Sequence, residues 1–206
     1  VIGVVGTSHD ENHAFLTIAR HFEQRRLPVP HVIAQSDDEM RYLQEDLGSR
    51  SLFDAIKGGR DSGGRYNKEE KELLKRTIRE LPNLQMRGAR GMDFSVCYPQ
   101  PEFDIANVLF DLNYFKYCFL MATDIDFHEL KLEANFRMLA KDLVAIGKSE
   151  SFMYRDFQAR NVMLDKTGKP YFIDFQGGRK GPYYYDVASF LWQASARYSD
   201  TLRKEL

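Results

Sequence analysis

Two aspartates and an asparagine stand in this chain at a spacing that could serve phosphoryl transfer. The stretch MYRDFQARNVML (153–164) carries Tyr154-Arg155-Asp156, and Asn161 stands five positions after Asp156. Thirteen positions further on comes Ile173-Asp174-Phe175-Gln176. Moving a phosphoryl group from a nucleotide to a hydroxyl needs few protein parts. A carboxylate must orient the hydroxyl and accept its proton, and oxygen donors must hold magnesium against the phosphates. Asp156 suits the first task, Asn161 and Asp174 the second. Between them KTGK (166–169) predicts a hairpin turn at Thr167-Gly168, which would fold Asn161 back beside Asp174. The plainer reading is a surface turn and an edge-strand aspartate. Against it stands the agreement of the spacing, the hairpin and the following GPYYYDVAS (181–189).

Those residues need a scaffold, and the chain predicts one in two parts. VIGVVG (1–6) is rich in β-branched side chains and predicts a strand. TSHDENHAFLTIARHFEQRR (7–26) predicts a helix. Ser8 and Glu11 form a capping-box pattern, and Phe15, Ile18, Ala19 and Phe22 share one face. HVIAQS (31–36) and EMRYLQED (39–46) predict an antiparallel pair joined at Asp37 and Asp38. KGGRDSGGRYN (57–67) predicts a flexible, charged linker. It is not a phosphate-binding P-loop, because Arg65 and Tyr66 follow Gly64 where Lys and Ser/Thr belong. Asn67 and Glu70 predict a capped helix carrying Leu74, Ile78 and Leu81. Residues 87–104 predict an irregular connection.

IANVLFDLNYFKYCFL (105–120) predicts a helix whose broad apolar face (Val108, Leu109, Leu112, Phe115, Phe119) packs in the core. Another helix opens at Asp126 and Glu129 and carries Phe136, Leu139 and Leu143. FMYRD, VMLD and YFIDFQ predict short strands, and YYYDVASFLWQASARY (183–198) predicts a helix.

Bulk properties exclude several classes. With 206 residues, 43% of them hydrophobic, the chain can bury a real core. With a formal net charge of -1, no basic excess points to nucleic acid. No apolar run reaches the ~20 residues of a membrane span. Cys97 and Cys118 lack metal-like spacing and are expected as reduced, core-packed thiols of a cytoplasmic protein. Histidines 9, 13, 21, 31 and 128 show no ligand spacing.

The stretch YRDFQARNVML…YFIDFQGGRKGPYYYDVASFLWQA resembles the aminoglycoside phosphotransferase and choline kinase-like family. That resemblance implies an α+β, two-lobed protein kinase-like fold, with a small sheet-rich lobe and a larger helical one. Residues 1–47 would be the part of the small lobe present, and 48–206 the helical lobe, which is expected to continue past Leu206. It implies ATP and magnesium, with Asp156 as catalytic base and Asn161 and Asp174 as magnesium ligands. Asp186 would brace the loop. Arg155 and Arg160 either hold phosphate or pair with nearby carboxylates. YLQEDLG (42–48) is similar to the family's hinge, so backbone near Glu45 and Leu47 would meet the adenine. DFQGGRKGPYYYD looks closer to amino-sugar kinases of this family than to its antibiotic-modifying enzymes. The implied reaction transfers the γ-phosphate to a hydroxyl of a sugar or amino sugar. The alternatives are an antibiotic-modifying phosphotransferase and a non-catalytic nucleotide-binding module.

Three features depart from the family pattern. Tyr154 replaces the usual histidine of the loop. VIGVVG holds no lysine where a phosphate-binding one is expected, and no glycine-rich hairpin precedes it. The helix glutamate that would partner that lysine is open between Glu11 and Glu23. The chain begins at what looks like the third strand of the small lobe, so these 206 residues are expected to bind nucleotide poorly on their own.

Overall fold

In the computed structural model, which describes residues 1–146 and 150–206, Ser8 starts the first helix. Its hydroxyl accepts from the Glu11 amide at 3.3 Å, and Asp10 and Glu11 lie in the positive first turn of α1 (His9–Gln24). Ala14, Phe15, Ile18, Ala19 and Phe22 are buried along one face. That face covers an antiparallel sheet of β1 (Ile2–Val5), β3 (Arg41–Gln44) and β2 (Val32–Gln35), with β3 in the centre. The turn between β2 and β3 closes through Ser36 Oγ and Asp38 Oδ1, which accept from the Arg41 and Met40 amides at 3.0 and 3.1 Å.

Helices follow: α2 (Leu52–Ala55), α3 (Lys57–Asp61) and α4 (Lys68–Pro82). The Asn67–Glu70 capping box opens α4, with reciprocal bonds of 2.9 Å each. A π-helical turn, Asn83–Arg87, comes straight after Pro82, which has no amide to continue the α ladder. Then come α5 (Ile105–Cys118) and α6 (Glu129–Ile146). The last quarter alternates short strands and helices: β4 (Ser151–Met153), β5 (Val162–Leu164), β6 (Pro170–Phe172), β7 (Arg179–Gly181), α7 (Tyr183–Leu191) and α8 (Asp200–Glu205). β4 pairs with β7, and β5 with β6, both antiparallel. The β5–β6 turn has Gly168 at φ +78°, a conformation glycine adopts without strain.

Phenylalanines join the two parts of the chain. Phe175 is fully buried and stacks on Phe15 of α1 at 5.2 Å, with Phe22 at 5.4 Å. Phe22 also meets Phe152 of β4 edge-on at 5.0 Å. Truncating such a ring costs about 3–5 kcal/mol. Asp174 precedes Phe175 directly, so the packing of α1 fixes where that carboxylate stands.

Five expectations are corrected. Residues 57–67 are no flexible linker. They form α3 and a docked turn, with Tyr66 buried and its hydroxyl donating to the Ala196 carbonyl. Gly59 and Gly64 serve close approach: a Cβ on Gly64 (φ +94°) would lie 2.3 Å from the Arg197 carbonyl. Cys97 is buried, and burial pushes its thiol up to about 12, but Cys118 is exposed. The α5 face is only partly covered. Val108 is buried, Leu109 and Leu112 are half-buried, and Phe115 and Phe119 are exposed. In the following helix Phe136 is buried, while Leu139 is exposed. The helix predicted over 183–198 stops at Leu191, and α8 starts again from its own cap, Ser199.

Candidate active site

The crowded loop 154–161 resolves into two sides. Tyr154, Phe157 and Ala159 are buried, whereas Asp156 and Arg160 are exposed. Phe157 stacks on Phe190 of α7 at 4.8 Å and pins the loop down. Tyr154, in place of a histidine, donates its hydroxyl to the Ile173 carbonyl, with the Asn161 carbonyl 3.3 Å away. Complete burial, with three aspartates nearby, pushes that phenol well above its ordinary range, so it remains a neutral donor. It ties the loop to the strand that leads to Asp174.

Asp186, at the start of α7 and wholly buried, holds the loop from below. Its carboxylate accepts from the amides of Tyr154 and Arg155 at 2.9 Å each, and from Gln85 Nε2 at 2.6 Å. The π turn is what presents Gln85, which also donates to the Tyr183 carbonyl at 2.8 Å. Burial pushes Asp186 up to about 6, against the three donors that favour its charge. The unfolded group loses its proton first. Stability from Asp186 is therefore full below about pH 4 and is lost as pH rises through 6, by at most about 3 kcal/mol. Asp186→Asn should remove that slope. It should also lower turnover at least about tenfold, because its NH₂ meets one of the two loop amides without an acceptor. Urea unfolding of both proteins at pH 4 and pH 7 checks the first part. Parallel stability changes would sink it.

Asn161 and Asp174 meet across the β5–β6 hairpin. Asn161 Nδ2 donates to Asp174 Oδ2 at 3.2 Å and to the Asp156 carbonyl at 2.9 Å. Both amide hydrogens are thereby used, and the amide oxygen is what remains for a cation. Asp174 has φ +63°, a strained value for a residue with a side chain. Gln176 Nε2 bridges Asp174 Oδ1 at 2.9 Å and Glu11 Oε1 at 3.4 Å. These side chains, with Tyr42 and Gln44 of β3, line a cleft of about 400 Å³ between the sheet and the hairpin. No lysine or arginine is among its lining residues, so two carboxylates face an uncompensated space. Burial and the negative charges of Glu11 and Asp174 push the Tyr42 phenol up.

This donor set fits magnesium. A carboxylate and an amide oxygen are hard ligands, and two protein donors leave room for phosphate oxygens and water. Among the described residues no three His, Cys, Asp or Glu side chains gather as a ready-made metal cage.

The other candidates lie elsewhere. Arg155 is engaged by Asp111 of α5, at 2.7 Å. Arg160 is exposed and has no carboxylate partner among the described residues. Glu45 and Leu47 do not line the cleft; they flank the hairpin in a second hollow with Leu164 and Tyr171. The Glu45 amide is taken by the His31 carbonyl at 2.9 Å. Glu23 pairs with His31 at 2.8 Å, which leaves Glu11 as the α1 glutamate in the cleft. Sequence reasoning missed Gln176 and Gln85. Glutamines carry no spacing rule, and their partners are distant in sequence.

The sequence model described as the phosphotransferase enzyme family, APH, matches residues 5–206. The chain is 27% identical over 190 residues to the N-acetylmuramate/N-acetylglucosamine kinase of Neisseria meningitidis serogroup B. That alignment covers 90% of this chain and 52% of the kinase, so the chain spans about half the length of this relative. The crystal structure of choline kinase LicA from Streptococcus pneumoniae superposes with a TM-score of 0.62 at 12% identity, over 98% of this chain and 64% of that one. At such identity the likeness speaks for the fold alone, a protein kinase-like α+β fold with a short sheet-containing N-terminal part. No helix among the described residues is long and apolar enough to cross a membrane. Loop, hairpin and family match agree over most of the sequence, and the chain belongs to the APH phosphotransferase enzyme family.

Proposed function

We propose that this chain carries the centre of an ATP- and magnesium-dependent phosphotransferase that moves the γ-phosphate onto a hydroxyl of a sugar or amino sugar. The observation that carries the reading is the double role of Asn161. One amide group bonds both the backbone of Asp156 and the carboxylate of Asp174, coupling a base to a metal ligand. Asp156 orients the acceptor hydroxyl and takes its proton as the oxygen attacks phosphorus. Gln158 Nε2, 2.6 Å from Asp156 Oδ1, steadies that carboxylate. Asn161 and Asp174 would hold magnesium, which when bound offsets the phosphate charge. Residues 1–47 supply one wall of the cleft, through Tyr42 and Gln44, and 48–206 supply the chemistry. Catalysis of this kind rests on positioning and electrostatics. The reaction belongs in the cytoplasm, where ATP is abundant and free thiols such as Cys97 stay reduced.

The similarity to an amino-sugar kinase supports the acceptor class. The full-length protein should phosphorylate an N-acetylated amino sugar with a higher kcat/KM than kanamycin-type aminoglycosides or choline. A steady-state panel with ATP and magnesium checks this. Faster phosphorylation of an aminoglycoside would reverse the ranking. Nucleotide binding without turnover of any acceptor would favour the non-catalytic module.

A further inference from the structure

Arg155 immediately precedes Asp156 and sits in the left-handed region at φ +77°. Its guanidinium is held by Asp111 through two parallel bonds, Nη1 to Oδ2 at 2.9 Å and Nη2 to Oδ1 at 2.7 Å. The rings of Phe103 and Tyr185 flank it, each centroid 5.9 Å away, and touch one another edge-on at 5.2 Å. Both charges are partly shielded from water, with 25% of the Arg155 side chain and 31% of the Asp111 side chain exposed. One turn earlier on α5, Asn107 Oδ1 accepts from Arg179 Nη1 at 2.8 Å. Asn107 and Asp111 thus form a short polar stripe toward the loop, while Phe110 and Tyr114 of the same helix are exposed.

A guanidinium beside a carboxylate base is a hazard. Without its partner, and only partly solvated, it would seek another carboxylate. Asp156 is the next side chain along and already acts on it electrostatically. A base captured in a bidentate ion pair can neither orient a hydroxyl nor take its proton. Among the described residues, the other titratable groups found acting on Arg155 are poor alternative partners. Arg179 of β7 is a like charge, and burial keeps the Tyr185 phenol neutral. The carboxylate of Asp186 already accepts the Arg155 amide at 2.9 Å, that of Tyr154, and Gln85.

We infer that Asp111 is a positioning residue of the active site: it holds Arg155 against α5 so that the Asp156 carboxylate stays free for the acceptor. The inference rests on the reading of Asp156 as the base. It also resolves the two roles open to Arg155 in favour of pairing.

The test is a double-mutant cycle in the full-length enzyme. Asp111→Asn keeps the shape and removes the anion. It should lower kcat at least about tenfold and leave the nucleotide KM within about twofold. Adding Arg155→Gln should then restore kcat at least about fivefold over the single variant, because no cation remains to capture the base. A double variant no better than Asp111→Asn would assign the pair to packing alone and overturn the inference. So would a raised nucleotide KM in Arg155→Gln by itself, the mark of a phosphate ligand. A crystal structure of Asp111→Asn needs no turnover. The guanidinium is expected on the Asp156 carboxylate, and finding it still between Phe103 and Tyr185 would overturn the inference. Should the parent enzyme transfer phosphate to no acceptor, the functional reading falls, and this crystal structure still decides the placement of Arg155.

Discussion

Asp156→Asn is expected to fold as the parent does and to lose roughly 10²–10⁴ of its turnover, the usual worth of a general base. The carboxylate is exposed, and its bonding partner is Gln158 at 2.6 Å. An asparagine oxygen can accept the same bond. Exposed substitutions of this kind change stability by about 0.5 kcal/mol or less. For a chain of this length that is a melting shift of no more than about 2 °C. The loop anchors stay in place, since Phe157, Tyr154 and Asp186 are untouched. What disappears is basicity: an amide cannot take the acceptor proton. The nucleotide KM should stay near the parent value, because Asn161 reaches the Asp156 backbone and not its side chain. Steady-state kinetics at saturating magnesium, paired with a thermal melt, separate the two effects. A folded variant with parental kcat would remove Asp156 from the chemistry.

How much of this was legible in the sequence depended on the distance between partners. Asn161 and Asp174 could be read because a two-strand hairpin fixes the distance between them, and Thr167-Gly168 announces the hairpin. The Asn67–Glu70 box could be read because both halves lie within one turn. Ser8 and Glu11 show the limit of that rule. Ser8 caps the helix, but the Glu11 carboxylate turns to Gln176, far along the chain. No local pattern announces such a contact, nor the pairing of Asp111 with Arg155 or of Gln85 with Asp186. The glycines of 57–67 misled for a related reason. Glycine marks freedom in an isolated segment, yet beside another backbone it marks close approach, and only the fold says which. On α5, apolar periodicity predicted burial, but periodicity records what a face could bury and not whether anything covers it. Phe115 and Phe119 are exposed for that reason.

Asp174→Ala should abolish turnover and remove most of the magnesium dependence of nucleotide binding, with metal-free affinity held or raised. The argument starts from charge. Glu11 and Asp174 face the cleft, Gln176 bridges them, and no lysine or arginine is among the lining residues. A triphosphate entering without a cation meets two carboxylates. A single pair of like charges 4 Å apart costs about 4 kcal/mol at the effective dielectric of a protein surface. Magnesium reverses the sign of that interaction, so the parent should bind ATP much more tightly with the metal than without it. Removing Asp174 takes away a ligand and a repelling charge together. The metal-dependent gain should therefore shrink at least about tenfold, or about 1.4 kcal/mol, while binding in EDTA does not weaken. Alanine at φ +63° carries a backbone cost, so Asp174→Asn is the companion variant: asparagine tolerates that region and keeps the shape. Both remove the charge and should lose most of the magnesium gain, asparagine less completely because its amide oxygen can still ligate, and only alanine should fail if the backbone is what matters. Calorimetric titration of ATP into the parent and both variants, with magnesium and with EDTA, reads the difference directly. An equal magnesium gain in all three would show that Asp174 is no ligand.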